Sequence, residues 1–162
     1  MIDYSDILRA FVEAKVDFTI IGGFAVLAHG VVRVTMDLDL AISMKKEDLQ
    51  KSWRVLKSLN FFPRQPIVEA TFTNPQELLD LARNKNMKAV SFYHQSQSYL
   101  IVDLLFEKEF IFKDSERTAM EIFGVKCNIA SVDKLISLKS LAGREKDLED
   151  IRELKKITNK SK

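Results

Sequence analysis

The chain has 162 residues, 46% hydrophobic and 30% charged, with a formal net charge of +2. This is enough apolar material for one sizeable core and too short for two independent ones, so residues 1–162 are expected to form a single domain. The near-balanced charge excludes a global electrostatic case for nucleic acid or an anionic membrane as obligatory partner, and the single cysteine, Cys127, excludes an internal disulfide and a cysteine-rich zinc cluster.

At the amino end Ile7, Leu8, Phe11, Val12 and Val16 recur at helical spacing, with Asp3 or Ser5 able to cap the start. Asp3, Asp6, Arg9 and Glu13 interrupt any secretion-signal core, and no apolar run reaches membrane length. No membrane partner and a cytoplasmic location are the expectation. Asp17 to Ile21 reads as a strand, and Gly22-Gly23 leads into an apolar helix from Phe24 to about His29. A strand, a glycine turn and a helix start can accept phosphate on free backbone N–H groups, or can merely make a tight turn for packing. Neither the dinucleotide fingerprint nor the Walker loop fits the spacing.

Met36 to Ile42 is apolar except for Asp37 and Asp39. Strand alternation puts both acids and Ala41 on one face, with Leu38, Leu40 and Ile42 on the other. Two like charges forced together on a strand point to a cation, and Mg²⁺ suits a set of hard oxygen ligands that also meets substrate phosphates. Downstream, Lys45 to Leu59 is a helix with Leu49, Trp53, Leu56 and Leu59 on its buried stripe, ended by Phe61-Phe62-Pro63. Asn74-Pro75 starts another helix. Met87 to Tyr93 and Ser98 to Phe106 read as an antiparallel hairpin. The second strand carries a lone acid, Asp103, in the run Leu100 to Phe106, and a bare buried carboxylate is costly, so a metal shared with Asp37 and Asp39 is expected.

A further hairpin is expected around Gly124, with Cys127 as a packing residue. Two helices close the chain at about 131–157, the first capped by Ser131 or Asp133, with Gly143 between them. Lys139, Arg144 and Lys146 either converge on an anion there or are solvated charges paired with Glu145, Asp147 or Glu149. The lysines from Lys155 onward read as a frayed tail. The elements together indicate an α+β fold, a small mixed or antiparallel sheet flanked by helices with a carboxyl-terminal helical pair.

The order Gly22-Gly23, Asp37-Leu38-Asp39 and Val102-Asp103-Leu104-Leu105-Phe106 resembles the DNA polymerase beta-like nucleotidyltransferase superfamily. Phe18 to Gly30, followed by Arg33, Thr35 and Asp37 to Leu40, resembles the opening motif of its small prokaryotic branch with the AbiEii-type toxins; Leu138-Lys139 and Ala142 to Ile151 resemble its closing motif. Residues 44–97 match only loosely.

The resemblance implies a nucleotidyltransferase fold and metal-dependent transfer of a nucleoside monophosphate from a nucleoside triphosphate to an acceptor hydroxyl, with pyrophosphate released. It implies two Mg²⁺ ions, or Mn²⁺ in their place, on Asp37, Asp39 and Asp103, the last also a candidate base. It assigns Gly22, Gly23, Lys139 and Arg144 to the nucleotide; Asp147 and Asp150 are expected to orient those basic side chains or to cap the helix edge rather than to bind metal. Many members carry serine after the first glycine, and Gly23 here leaves that contact to backbone donors. The acceptor is a protein, an RNA end or a small molecule. The alternative is a catalytically weak or inactive nucleotidyltransferase-like binding protein of a toxin–antitoxin type system. Nucleotide base, acceptor and oligomeric state are not encoded in a readable way.

Overall fold

A computed structural model describes residues 1–106 and 110–160. Its elements run α1 (Tyr4–Glu13), β1 (Phe18–Ile20), α2 (Gly22–Ala28), β2 (Asp37–Ile42), α3 (Lys46–Ser58), β3 (Phe61–Pro63), α4 (Glu69–Phe72), α5 (Pro75–Lys85), β4 (Ala89–His94), β5 (Ile101–Leu105), β6 (Arg117–Ile122), β7 (Val125–Ala130), α6 (Val132–Ala142) and α7 (Glu145–Lys160). The expected α+β class holds, with one mixed sheet of order β3-β4-β5-β2-β1-β7-β6 and a carboxyl-terminal helical pair. β2 runs parallel to β5, and β1 parallel to β7; the remaining neighbours are antiparallel.

Local chemistry explains most boundaries. The Asp3 carboxylate accepts from the Ser5 and Asp6 N–H groups while Asp6 returns a bond to the Asp3 N–H, a reciprocal cap that fixes the start of α1. Asn74 caps α5, with Pro75 in the first turn where its missing N–H costs nothing. Gly143, at φ +64°, ends α6 in the left-handed conformation that glycine adopts without strain.

One face of the sheet carries α3 and α4, with α5 packed beside α4. Leu38, Leu40, Val90, Phe92, Val102 and Leu104 are fully buried there, and Trp53 packs on Phe72 and Phe92 at centroid distances of 5.3 and 5.7 Å. Trp53 is a core residue, as its helical stripe predicts. On the opposite face α2 lies against β2, while Ala89, Ser91 and Tyr93 of β4 and Ile101, Asp103 and Leu105 of β5 are only half-buried. That half-open face carries the acids.

Two expectations need correction, and one element went unanticipated. Phe61-Phe62-Pro63 does more than end α3: it is an edge strand paired antiparallel to His94-Tyr93-Phe92, and proline is tolerated because an edge strand leaves one set of N–H groups unpaired. α4 was not anticipated, since a single helical turn has no readable period. The tail expected to fray from Lys155 continues as helix to Lys160, held by Leu154, which is fully buried.

Candidate active site

The site is built where β2 and β5 run side by side. Asp39 stands directly opposite Asp103 across the parallel ladder, and Asp37 opposite Ile101, so alternation brings all three predicted acids onto the same face. Asp37 is exposed, whereas Asp39 and Asp103 are half-buried. Burial foremost, then the charges of Asp103 and Asp37, raises Asp39 from 3.8 to about 7, opposed by Lys139 and the Gly23 N–H. Burial also raises the Asp103 carboxyl, against a hydrogen bond from Ser91, and the charges of Asp37 (upward) and Arg64 (downward) add smaller effects. Asp103 Oδ1 is buried without a hydrogen-bond partner among the described residues. Such an oxygen is costly to leave unsatisfied, and a hard cation would satisfy it. Among the described residues, no group of three or more His, Cys, Asp or Glu side chains forms a set that could hold a metal ion.

The diglycine is explained by what lies over it. A Cβ on Gly22, whose φ is +63°, would fall 1.8 Å from Asp39 Oδ2, and one on Gly23 would fall 2.1 Å from Thr35 Oγ1. Two polar side chains of the segment leading through β2 therefore press on the start of α2, and only glycine leaves room for them. The Ile21 N–H donates to the Asp39 carbonyl at 3.0 Å, tying that turn to the acid strand. Thr35 is half-buried, and its hydroxyl lies where a side chain at position 23 would have to go. Sequence reasoning placed Thr35 within a motif without seeing this approach, which is made through space.

α6 and α7 close the other side. Lys139 is buried, with Nζ 3.3 Å from Asp147 Oδ1 and 2.6 Å from Asp150 Oδ2. Arg144 Nε bonds Asp147 Oδ2 at 2.7 Å, and Arg33 pairs with Asp150. Burial pushes the Asp147 carboxyl up, but the Arg144 hydrogen bond and the Lys139 charge outweigh it and hold it below the ordinary carboxylate value. Lys139 and Arg144 are paired with carboxylates, though Lys139 is buried rather than solvated, and both line a cavity of about 130 Å³ with Ile21, Gly22 and Asp39. Lys146 points elsewhere, being exposed and absent from that lining.

The remaining candidates are structural. His29 Nε2 donates to the Ala130 carbonyl at 2.8 Å, and His94 Nδ1 accepts from the Ser96 and Gln97 N–H groups. Cys127 is buried, and that burial raises its thiol to about 11, which makes it a packing residue.

No family model and no curated sequence matches this chain significantly. Solved structures do. The chain is similar to lincosamide antibiotic adenylyltransferase LnuA in a lincomycin-bound crystal structure, with TM-score 0.65, 16% identity, and 96% of this chain and 98% of that one covered. It is similar to ANT(2″)-Ia in complex with adenylyl-2″-tobramycin, at TM-score 0.60 and 15% identity over 93% of this chain and 84% of that one. An antigenic nucleotidyltransferase-like protein from Paracoccidioides brasiliensis gives TM-score 0.52 and 18% identity over 96% of this chain and 77% of that one. At such identities the likeness establishes the fold: this chain has the nucleotidyltransferase fold.

Proposed function

We propose that this chain is a metal-dependent nucleotidyltransferase that moves a nucleoside monophosphate from a nucleoside triphosphate to an acceptor hydroxyl. The observation that carries the reading is the opposition of Asp39 and Asp103 on parallel strands, with Asp37 on the same face and the Gly22–Lys139 cavity alongside. Three coupled carboxylates without neutralising cations are a poor structural device, but an apt one for binding cations. Asp37, Asp39 and Asp103 would hold Mg²⁺, with Mn²⁺ as the alternative; the hard oxygens and the orphaned Asp103 Oδ1 fit such an ion. Two bound ions would supply Lewis-acid stabilisation of the leaving pyrophosphate and a lowered pKa of the acceptor hydroxyl.

The chain's own groups do the rest. Lys139 and Arg144 offer positive charge to the triphosphate from the cavity wall, and Asp147 and Asp150 aim them. The Thr35 hydroxyl, over Gly23, is available to the phosphates in place of the serine found there in many members of the resembled superfamily. Asp103 accepts the acceptor's proton as the acceptor oxygen bonds to the α-phosphorus and the bond from that phosphorus to the bridging oxygen of pyrophosphate breaks. Small hydroxylated molecules are the first acceptors to assay, because two of the similar structures are antibiotic adenylyltransferases; proteins and RNA ends follow. Membership of the AbiEii-like branch rests on the opening and closing motifs.

The second reading, a binding protein with little or no activity in a toxin–antitoxin type system, is favoured by one observation: the side chains of the described residues do not form a ready three-ligand set. One experiment separates the two. Purified protein incubated with each α-labelled nucleoside triphosphate, Mg²⁺ and candidate acceptors or cell extract is expected to transfer label. Asp39→Asn is expected to lower the rate about 10²-fold or more, the effect of losing several kcal/mol of charge stabilisation, with an unchanged circular dichroism spectrum. Full activity in Asp39→Asn would reject the assigned role, and no transfer by the wild type would favour the binding protein.

A further inference from the structure

Residues 2–4 reach from the start of α1 to the beginnings of both acid-bearing strands. The Ile2 N–H donates to Gln97 Oε1 at 3.1 Å, and Gln97 Nε2 donates to the Ile2 carbonyl at 3.0 Å, a two-bond clip onto the turn that leads into β5. The Tyr4 hydroxyl donates to the carbonyl of Met36, the residue immediately before Asp37. The Tyr4 ring is itself fixed, 5.0 Å from the Phe24 ring of α2 and 6.4 Å from the ring of Phe123 at the tip of the β6–β7 hairpin. Behind it, α1 is anchored by Ile7, Leu8 and Phe11, all fully buried.

The need for such an anchor is local. Asp37 is the first residue of β2, and strand ends open before strand centres. The preceding segment has no regular structure and little packing: Val32, Val34 and Met36 are 97%, 88% and 61% exposed. Arg33 ties that segment to α7, and the Tyr4 bond is its last side-chain attachment before the acid.

We propose that Tyr4, with the Ile2–Gln97 clip, is a positioning device that holds the starts of β2 and β5 side by side so that Asp37 stands with Asp39 and Asp103. Its consequence for catalysis rests on the transferase reading, but the clip is measurable without any transfer. Tyr4 touches no reacting atom and acts through Asp37.

The test uses full-length Tyr4→Phe, which keeps the ring between Phe24 and Phe123 and removes only the hydroxyl, and Gln97→Leu, which removes the other half of the clip. Amide hydrogen exchange is followed at residues 37–39 and 101–103, with Met120 and Cys127 of the far hairpin as internal controls. At an unchanged melting temperature, the expected result is exchange at least about fivefold faster at the starts of β2 and β5, with the controls unmoved. Calorimetry is expected to show about threefold weaker Mn²⁺ binding in the presence of a non-hydrolysable nucleoside triphosphate, and kcat is expected to fall about tenfold with little change in nucleotide KM. Unchanged exchange at those amides in both variants would overturn the proposal, as would uniformly faster exchange with a lower melting temperature, the mark of a merely structural contact. If the wild type neither binds Mn²⁺ nor transfers label, the transferase reading fails and the exchange data alone decide for or against the clip.

Discussion

Asp39 is the residue on which most of the local design converges. It meets Gly22, faces Asp103, and receives opposing influences from Lys139 and the Gly23 N–H. Its carboxyl is raised from 3.8 to about 7, so between those values the folded protein holds a proton that the unfolded chain releases. The corresponding stability is fully present below about pH 4 and is lost as pH rises through about 7. Thermal unfolding of metal-free protein should therefore show the melting temperature of wild type, measured relative to Asp39→Asn, falling from about pH 5 to about pH 8. A flat or rising difference would contradict the arrangement. Gly23 offers a second test at this scale, because a serine there would drive its Cβ to within 2.1 Å of Thr35 Oγ1. Gly23→Ser alone is expected to destabilise by about 1–3 kcal/mol in denaturant titration, as overpacking does. Gly23→Ser with Thr35→Ala is expected to recover most of that loss and to restore a hydroxyl near the phosphates. The three acids were legible in the sequence because strand alternation and the cost of like charges are local rules. The Gly23–Thr35 contact was not, because it joins segments whose meeting depends on the chain's path between them.

At the scale of elements, the pairing of α6 with α7 is a charged clamp. Lys139 is buried against Asp147 and Asp150, and these acids also engage Arg144 and Arg33. Losing Asp147 leaves the buried Lys139 with Asp150 as its remaining carboxylate, so part of the pairing survives and the cost is about 1–3 kcal/mol. Asp147→Asn is accordingly expected to lower stability by an amount in that range and to weaken nucleotide binding together with it; a change below about 1 kcal/mol in urea unfolding would show that the clamp is solvated. The helices themselves were readable from their caps and stripes, as in α1, α3 and α5. β3 and α4 were not, since three residues of strand and four of helix carry no period, and both exist because β4 and α3 offer them a surface.

For the whole molecule, the sheet order brings residues 37–39 and 103 together through the parallel β2–β5 pair, with β1 on the other side of β2 carrying the glycine turn. The sequence indicated the class of fold and the antiparallel β4–β5 hairpin, but which strand would flank β2 depends on long-range packing that no local pattern records. The likeness to solved structures, at TM-scores of 0.65 and 0.60, is a likeness of fold. Among the described residues no helix is long and apolar enough to cross a membrane. The central claim is that three aspartates meeting on this sheet hold divalent ions for a nucleotide, and the most direct measurement is calorimetric titration of the full chain with a non-hydrolysable nucleoside triphosphate, with and without Mg²⁺. The account predicts saturable binding that requires the metal and is lost in Asp39→Asn at a melting temperature no lower than that of the wild type. Binding that is indifferent to Mg²⁺ and to that substitution would contradict it.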